Sequence, residues 1–222
     1  MAVNIMKAGL DKVLTMLVLL ACFSVKAQDR LGDCCPKVNP QWLFSYDERL
    51  ETIIHEHLGE DFLVRCIYMP AFDPEWVIQL DINAKSGAFQ LCVLFFRENL
   101  WYKKDGEVGG EKSVLPIEEK QASDLTKLVR QFIENKSGGL AGGCLDGESI
   151  QFEVKIDGDI HCGVIDCPAD NSYPGRLVAI FGILKESVIN GILNQEVPAL
   201  VETLYNEASA YYSFVNSEKK LY

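Results

Sequence analysis

The chain has 222 residues, 48% of them hydrophobic, and 21 basic against 32 acidic side chains give a formal net charge of −11. That apolar share excludes a largely disordered chain. The acid excess excludes partners held through phosphate charge, because nucleic acids and anionic lipids are bound by basic groups, and it favours a basic protein partner or a cationic ligand.

At the start, Lys7 and Lys12 lead into Val13–Phe23, an uncharged run of eleven residues. A membrane span needs roughly 20 apolar residues, so this run has instead the length of a signal-peptide core. Val25-Lys26-Ala27 then offers small residues at the positions a cleavage site needs. Residues 1–27 are therefore expected to be a signal peptide, with 28–222 a single exported domain, periplasmic or secreted. A rival reading takes Leu19-Leu20-Ala21-Cys22 as a lipobox, which would make Cys22 a lipid-anchored first residue on the bacterial envelope. The apolar run continuing into Phe23 favours plain secretion. No later segment reads as a membrane span.

Removing residues 1–27 takes away three basic groups and one acidic group, which leaves 18 against 31 and a net charge of −13 on 195 residues. Such a length fits one domain with a real core. Seven cysteines remain, and in an oxidising compartment some of them should pair. Cys34, Cys35, Cys144, Cys162 and Cys167 are the disulfide candidates, with the pairing left open. Cys92, in a very apolar segment, reads as an inert buried thiol.

In chain order, residues 28–44 read as an extended, poorly ordered lead-in. A helix follows over about Tyr46–Leu58, with Leu50, Ile53, Ile54, His57 and Leu58 at helical spacing and Gly59 as its stop. Strands are expected over Phe62–Met69, Trp76–Ile82 and Ala88–Phe96, separated by the Pro70–Pro74 turn and a hairpin loop at 83–87. Asn99-Leu100-Trp101-Tyr102 closes this unit before a charged, glycine-containing loop. Ser113–Ile117 reads as a short strand. The clearest helix follows, its stripe Ala122, Leu125, Leu128, Val129, Phe132 and Ile133 ending at Ser137-Gly138-Gly139. Ser149–Ile156 alternates and turns at Asp157-Gly158-Asp159 into a strand from Ile160 to Cys167. A three-residue turn would align Ile160, Cys162 and Val164 with the apolar face, and this register is expected because register follows the buried face. Helices over about Arg176–Asn190 and Pro198–Phe214 complete the chain. The order predicts an α+β fold, an antiparallel sheet of about five or six strands with helices mainly on one face.

Pro70-Ala71-Phe72-Asp73-Pro74-Glu75 leading into a strand, Asn99-Leu100-Trp101 closing its hairpin, and Leu145-Asp146-Gly147 opening an alternating strand resemble uncharacterised exported bacterial α+β domains over roughly residues 60–185. The resemblance implies this fold and a bacterial origin; it implies no activity.

The chemical motifs mostly dissolve on inspection. His55-Glu56-His57 would place two imidazoles on nearly opposite sides of a helix, where they cannot share a metal; a surface His55 and a semi-buried His57 are expected. The glycine run 138–147 lacks the Lys-Ser/Thr ending of a phosphate loop and follows a helix, so it reads as a helix stop and loop. Asp157-x-Asp159-x-His161 lacks the glycine a calcium loop needs at its sixth position, where Cys162 stands. His161 and Cys162 are strand neighbours pointing to opposite faces, which rules out a direct nucleophile–base pair. Tyr211, Tyr212 and Phe214 could form an exposed aromatic patch, but packing against the core explains them. The expectation is an exported non-catalytic binding protein, with no metal and no cofactor. One alternative is an immunity-type inhibitor of a basic toxin in the periplasm. Another is an enzyme whose site gathers Asp146, His161 and Asp166 near the glycine loop.

Overall fold

The computed structural model describes residues 30–32, 41–103, 109–137 and 147–218. Among them are helices α1 (Gln41–Leu58), α2 (Glu119–Glu134), α3 (Tyr173–Asn190) and α4 (Val197–Glu218), and strands β1 (Val64–Pro70), β2 (Trp76–Ile82), β3 (Phe89–Phe96), β4 (Gly110–Pro116), β5 (Glu148–Ile156) and β6 (Asp159–Asp166). The strands form one sheet in the order β4-β3-β2-β1-β5-β6, every neighbouring pair antiparallel. β1 to β4 is a meander. The chain then crosses through α2 and adds the β5–β6 hairpin to the free side of β1. The expected α+β fold is what forms.

Helices cover the two faces unequally, and the side-chain alternation shows why. On one face Cys66, Ile78, Val93, Ile150, Phe152 and their neighbours are buried without a break, beneath the stripe of α2 and the apolar sides of α3 and α4. Phe152 meets Phe181 edge-on at 5.3 Å and Phe132 meets Tyr212 edge-on at 5.8 Å, so rings from β5 and the three helices interlock. Such offset contacts add to plain area burial. Among the described residues the other face carries one helix, α1, whose Leu50, Ile54 and Leu58 sit on Ile67, Val77, Leu94 and Phe96 in a smaller cluster. No helix among the described residues is long and apolar enough to cross a membrane.

Three expectations are corrected. Helix α1 begins at Gln41, five residues before Tyr46. Within the expected lead-in, residues 30–32 are docked: Gly32 and Val164 exchange backbone hydrogen bonds of 2.7 and 3.0 Å, and Leu31 is fully buried. Gly163 explains the fit, since a Cβ there would lie 2.9 Å from Leu31 Cδ1. A strand that lacks a side chain on its core face borrows one from residue 31, an apolar burial worth about 2 kcal/mol.

The third correction concerns the β5–β6 turn. Ile156 pairs with Asp159, so the turn holds two residues, Asp157 and Gly158, both with positive φ (53° and 94°). This is the backbone that two-residue hairpins favour, and Asp-Gly adopts it readily. In consequence Ile160, Cys162 and Val164 lie on the face opposite to Ile150, Phe152 and Val154, and Ile160 is exposed. Turn chemistry sets the register here, and Leu31 supplies the apolar cover that β6 itself lacks.

Candidate binding surface

The end of the sheet where β1 turns into β2 is built from the residues that stood out as motifs. Asn99 caps a short 3-10 turn over Leu100–Tyr102: its Oδ1 accepts from the Trp101 N–H at 2.9 Å. Its Nδ2 donates to Asp73 O at 2.6 Å and to Pro70 O at 3.3 Å, which ties the turn to the proline loop. Glu75, 1% exposed, accepts from Tyr46 Oη at 2.9 Å and from the Leu100 N–H at 2.8 Å. Arg49 donates to Lys103 O at 2.8 Å and also to Leu100 O. A buried carboxylate is tolerated only when its oxygens are hydrogen-bonded, and here each oxygen joins a different segment to the loop.

What this scaffold presents is aromatic. Phe72 is 65% exposed, Trp101 44% and Tyr102 63%. Tyr102 Oη reaches Ala71 O at 3.4 Å, beside Phe72, and Trp101 packs edge-on against Tyr46 at 5.0 Å. Asp73 is exposed on the same loop, and Glu98 pairs with Lys103 at 2.6 Å. Planar rings held on a stiff frame lose little freedom on binding, and beside acids they suit cationic or planar groups of a partner. Local pattern alone makes Asn99–Tyr102 the end of a hairpin. The usable signal was the presence of Phe72, Trp101 and Tyr102 in turn segments, where no core is available to receive them.

Of the candidates Asp146, His161 and Asp166, the two that are described do not come together. His161 pairs with Val154 on the face of α2–α4, whereas Asp166 pairs with Ser149 and points to the opposite face. They stand five residues apart on one strand, about 16 Å. Asp146 lies outside the described residues, as do Cys22, Cys34, Cys35 and Cys144. Cys162 and Cys167 are disulfide-bonded, while Cys66 and Cys92 are free and buried. His57 is exposed and not semi-buried, because its carbonyl and not its ring meets the sheet, accepting from Lys112 Nζ at 2.9 Å. His55 is also exposed and pairs with Glu60 at 3.2 Å. No group of three or more potential metal ligands occurs among the described residues. Tyr212 is in the core and Tyr211 is half-buried, which leaves Phe214 as the exposed ring of that trio.

Several protons are held tightly by burial. Burial, together with the Glu75 carboxylate, pushes the Tyr46 phenol well above its ordinary 10.0. Burial and a 2.5 Å bond to Glu148 do the same for Tyr68. Burial and Asp81, which accepts from the thiol at 3.6 Å, raise Cys92 to about 12. Each group is raised in the fold relative to the unfolded chain, so its contribution is complete below its unfolded value and is lost as pH rises through its folded one. The urea midpoint should therefore fall as pH rises from about 9 toward 12. Tyr46→Phe should flatten part of that slope. An identical slope in Tyr46→Phe and wild type would show that this phenol is not responsible.

Comparison of the chain with protein-family models, with curated proteins and with solved structures returned no match.

Proposed function

We propose that this protein is an exported, non-catalytic recognition module of the bacterial envelope or exterior, and that its loop end engages a basic protein partner. The observation that carries the proposal is the exposure of Phe72, Trp101 and Tyr102 together on a frame fixed by Glu75, Asn99 and Arg49. Exposed aromatic clusters mark interaction sites, because rings left in water gain most from a partner that covers them. The partner's sign comes from charge: a chain at −11 raises the local concentration of cationic proteins and repels anionic ones. Export is supported by the eleven-residue apolar run with its cleavage site, and by Cys162 and Cys167 being disulfide-bonded, a state that oxidising compartments sustain.

The test has two parts. Intact mass from the native host should correspond to a chain beginning at Gln28; a chain beginning at Met1 would refute export, and a lipidated Cys22 would place the module on an anchor. Partner capture from the envelope fraction should be followed by calorimetry on the purified pair. Trp101→Ala and Phe72→Ala should each weaken binding about tenfold or more, as for central aromatic anchors, with melting temperatures little changed. Added salt should weaken it further. An acidic partner, or affinity indifferent to both substitutions, would overturn the assignment.

A further inference from the structure

On the opposite side of the molecule from α1, a cavity of about 200 Å³ opens between the start of α2, the end of α3 and the start of α4. Its floor is apolar: Leu91 from β3, Leu125 from α2 and Leu184 from α3, all buried, with Val201 of α4 forming one wall. A closed apolar cavity of roughly 150 Å³ stays dry and admits a benzene-sized guest. This one differs in having a mouth.

The mouth is polar and carries charges of both signs. Glu118, Lys120, Gln121 and Asp124 line it from the first turns of α2. Lys120 and Asp124 are joined at 2.6 Å, and Lys127 approaches Asp124 at 3.7 Å. Glu202 lies near enough to act on Lys120. The helix N-terminus would favour an anion, but Glu118 already stands there as cap residue and its N–H is taken by Gln121 Oε1 at 3.0 Å. An anionic head would meet Glu118, Asp124 and Glu202. A cationic head would meet Lys120. A hydroxyl disturbs neither, and it can donate to a rim carboxylate.

We infer that this cavity is a binding site for a small uncharged amphiphile: an alkyl or monocyclic aryl group of about six to eight carbons carrying a hydroxyl, with its tail on Leu91, Leu125 and Leu184 and its head at the rim. The site is separate from the aromatic loop end, and neither proposal depends on the other.

The test uses the full chain with 1-octanol, octanoate and octylammonium as probes, by calorimetry below their aggregation concentrations, alongside thermal melts. Octanol should bind saturably at one site and raise the melting temperature, with the two charged probes at least tenfold weaker. Each methylene removed from the alcohol should weaken binding about fourfold, the effect of losing one buried methylene. Val201→Phe should fill the cavity and abolish binding. Because that variant could unfold, Leu125→Ala is the companion: it enlarges the cavity and should shift the optimum to longer alcohols. Absence of saturable octanol binding to folded wild-type protein would overturn the site, as would binding unchanged in a folded Val201→Phe. Octanoate or octylammonium binding as tightly as octanol would overturn the assignment of the head.

Discussion

Replacing Arg65 by Met should lower the unfolding free energy by about 3–5 kcal/mol, the range found when one partner of a buried ion pair is removed. Arg65 lies in a row that crosses the sheet beneath the end of α1: Cys92, Gln79, Arg65, Glu153 and Cys162 are successive partners on β3, β2, β1, β5 and β6. Its guanidinium is bonded to Gln79 Oε1 at 2.8 and 3.0 Å, to Glu153 at 3.3 Å and to Gly59 O at 2.9 Å, and it lies 4.0 Å over the Phe62 ring. Burial draws its pKa down and Glu153 opposes that shift. The substitution leaves the Glu153 carboxylate, 13% exposed, without its cation. It also removes the donor to Gly59 O, the carbonyl just past α1, beside Gln79 Nε2 at Leu58 O (3.0 Å) and Lys112 Nζ at His57 O, which meet the helix's own last carbonyls. Positive groups at a helix C-terminus complement its dipole. The double variant Arg65→Met/Glu153→Met should recover much of the loss, since apolar pairs replace buried ion pairs at little cost. Urea unfolding of wild type, both single variants and the double variant measures all of this. A loss below about 1 kcal/mol in Arg65→Met would mean that the row holds nothing together.

Glu75→Ala should cost about 2–6 kcal/mol, because it strands the Tyr46 hydroxyl and the Leu100 N–H, and each buried group left unsatisfied costs roughly 1–3 kcal/mol. Its consequence extends further than stability. The Leu100–Tyr102 turn loses one of its ties to the strand it packs against, so the Trp101 ring should gain freedom, seen as lower fluorescence anisotropy for that residue in a variant with Trp42 and Trp76 replaced by Phe. Glu75→Gln keeps an acceptor for one donor and should fall between. Stability and Trp101 anisotropy both unchanged in Glu75→Ala would remove the frame from under the proposed surface.

Much of the architecture was legible from periodicity. The stripe Ala122, Leu125, Leu128, Val129, Phe132 and Ile133 is the buried side of α2, and β2 and β3 form where alternation and apolar content placed them. Signals that depend on local sequence alone survive folding, because a helix face or a strand pleat repeats whatever its neighbours are. The start of β4 escaped, since an edge strand needs no apolar pattern: Gly110, Glu111 and Lys112 pair with Phe96, Phe95 and Leu94 while facing solvent on their outer side. The start of α3 at Tyr173 was set by the Ser172 cap, whose Oγ accepts from Gly175 N–H at 3.1 Å, three residues ahead of the predicted boundary.

The sequence by itself determined the class of fold, the number and order of its elements and the acidic field around them, because propensity, patterning and charge are written residue by residue. The Asp157-Gly158 turn that puts Cys162 on the face of Arg65 is also local chemistry, masked in the sequence by the apolar pattern of β6. Only the tertiary structure decided that Leu31 completes the core under Gly163, and that Glu75 and Asn99 gather Phe72, Trp101 and Tyr102 at one end. Each of these joins residues at least 20 positions apart, and local pattern carries no information about which distant segment arrives to fill a gap.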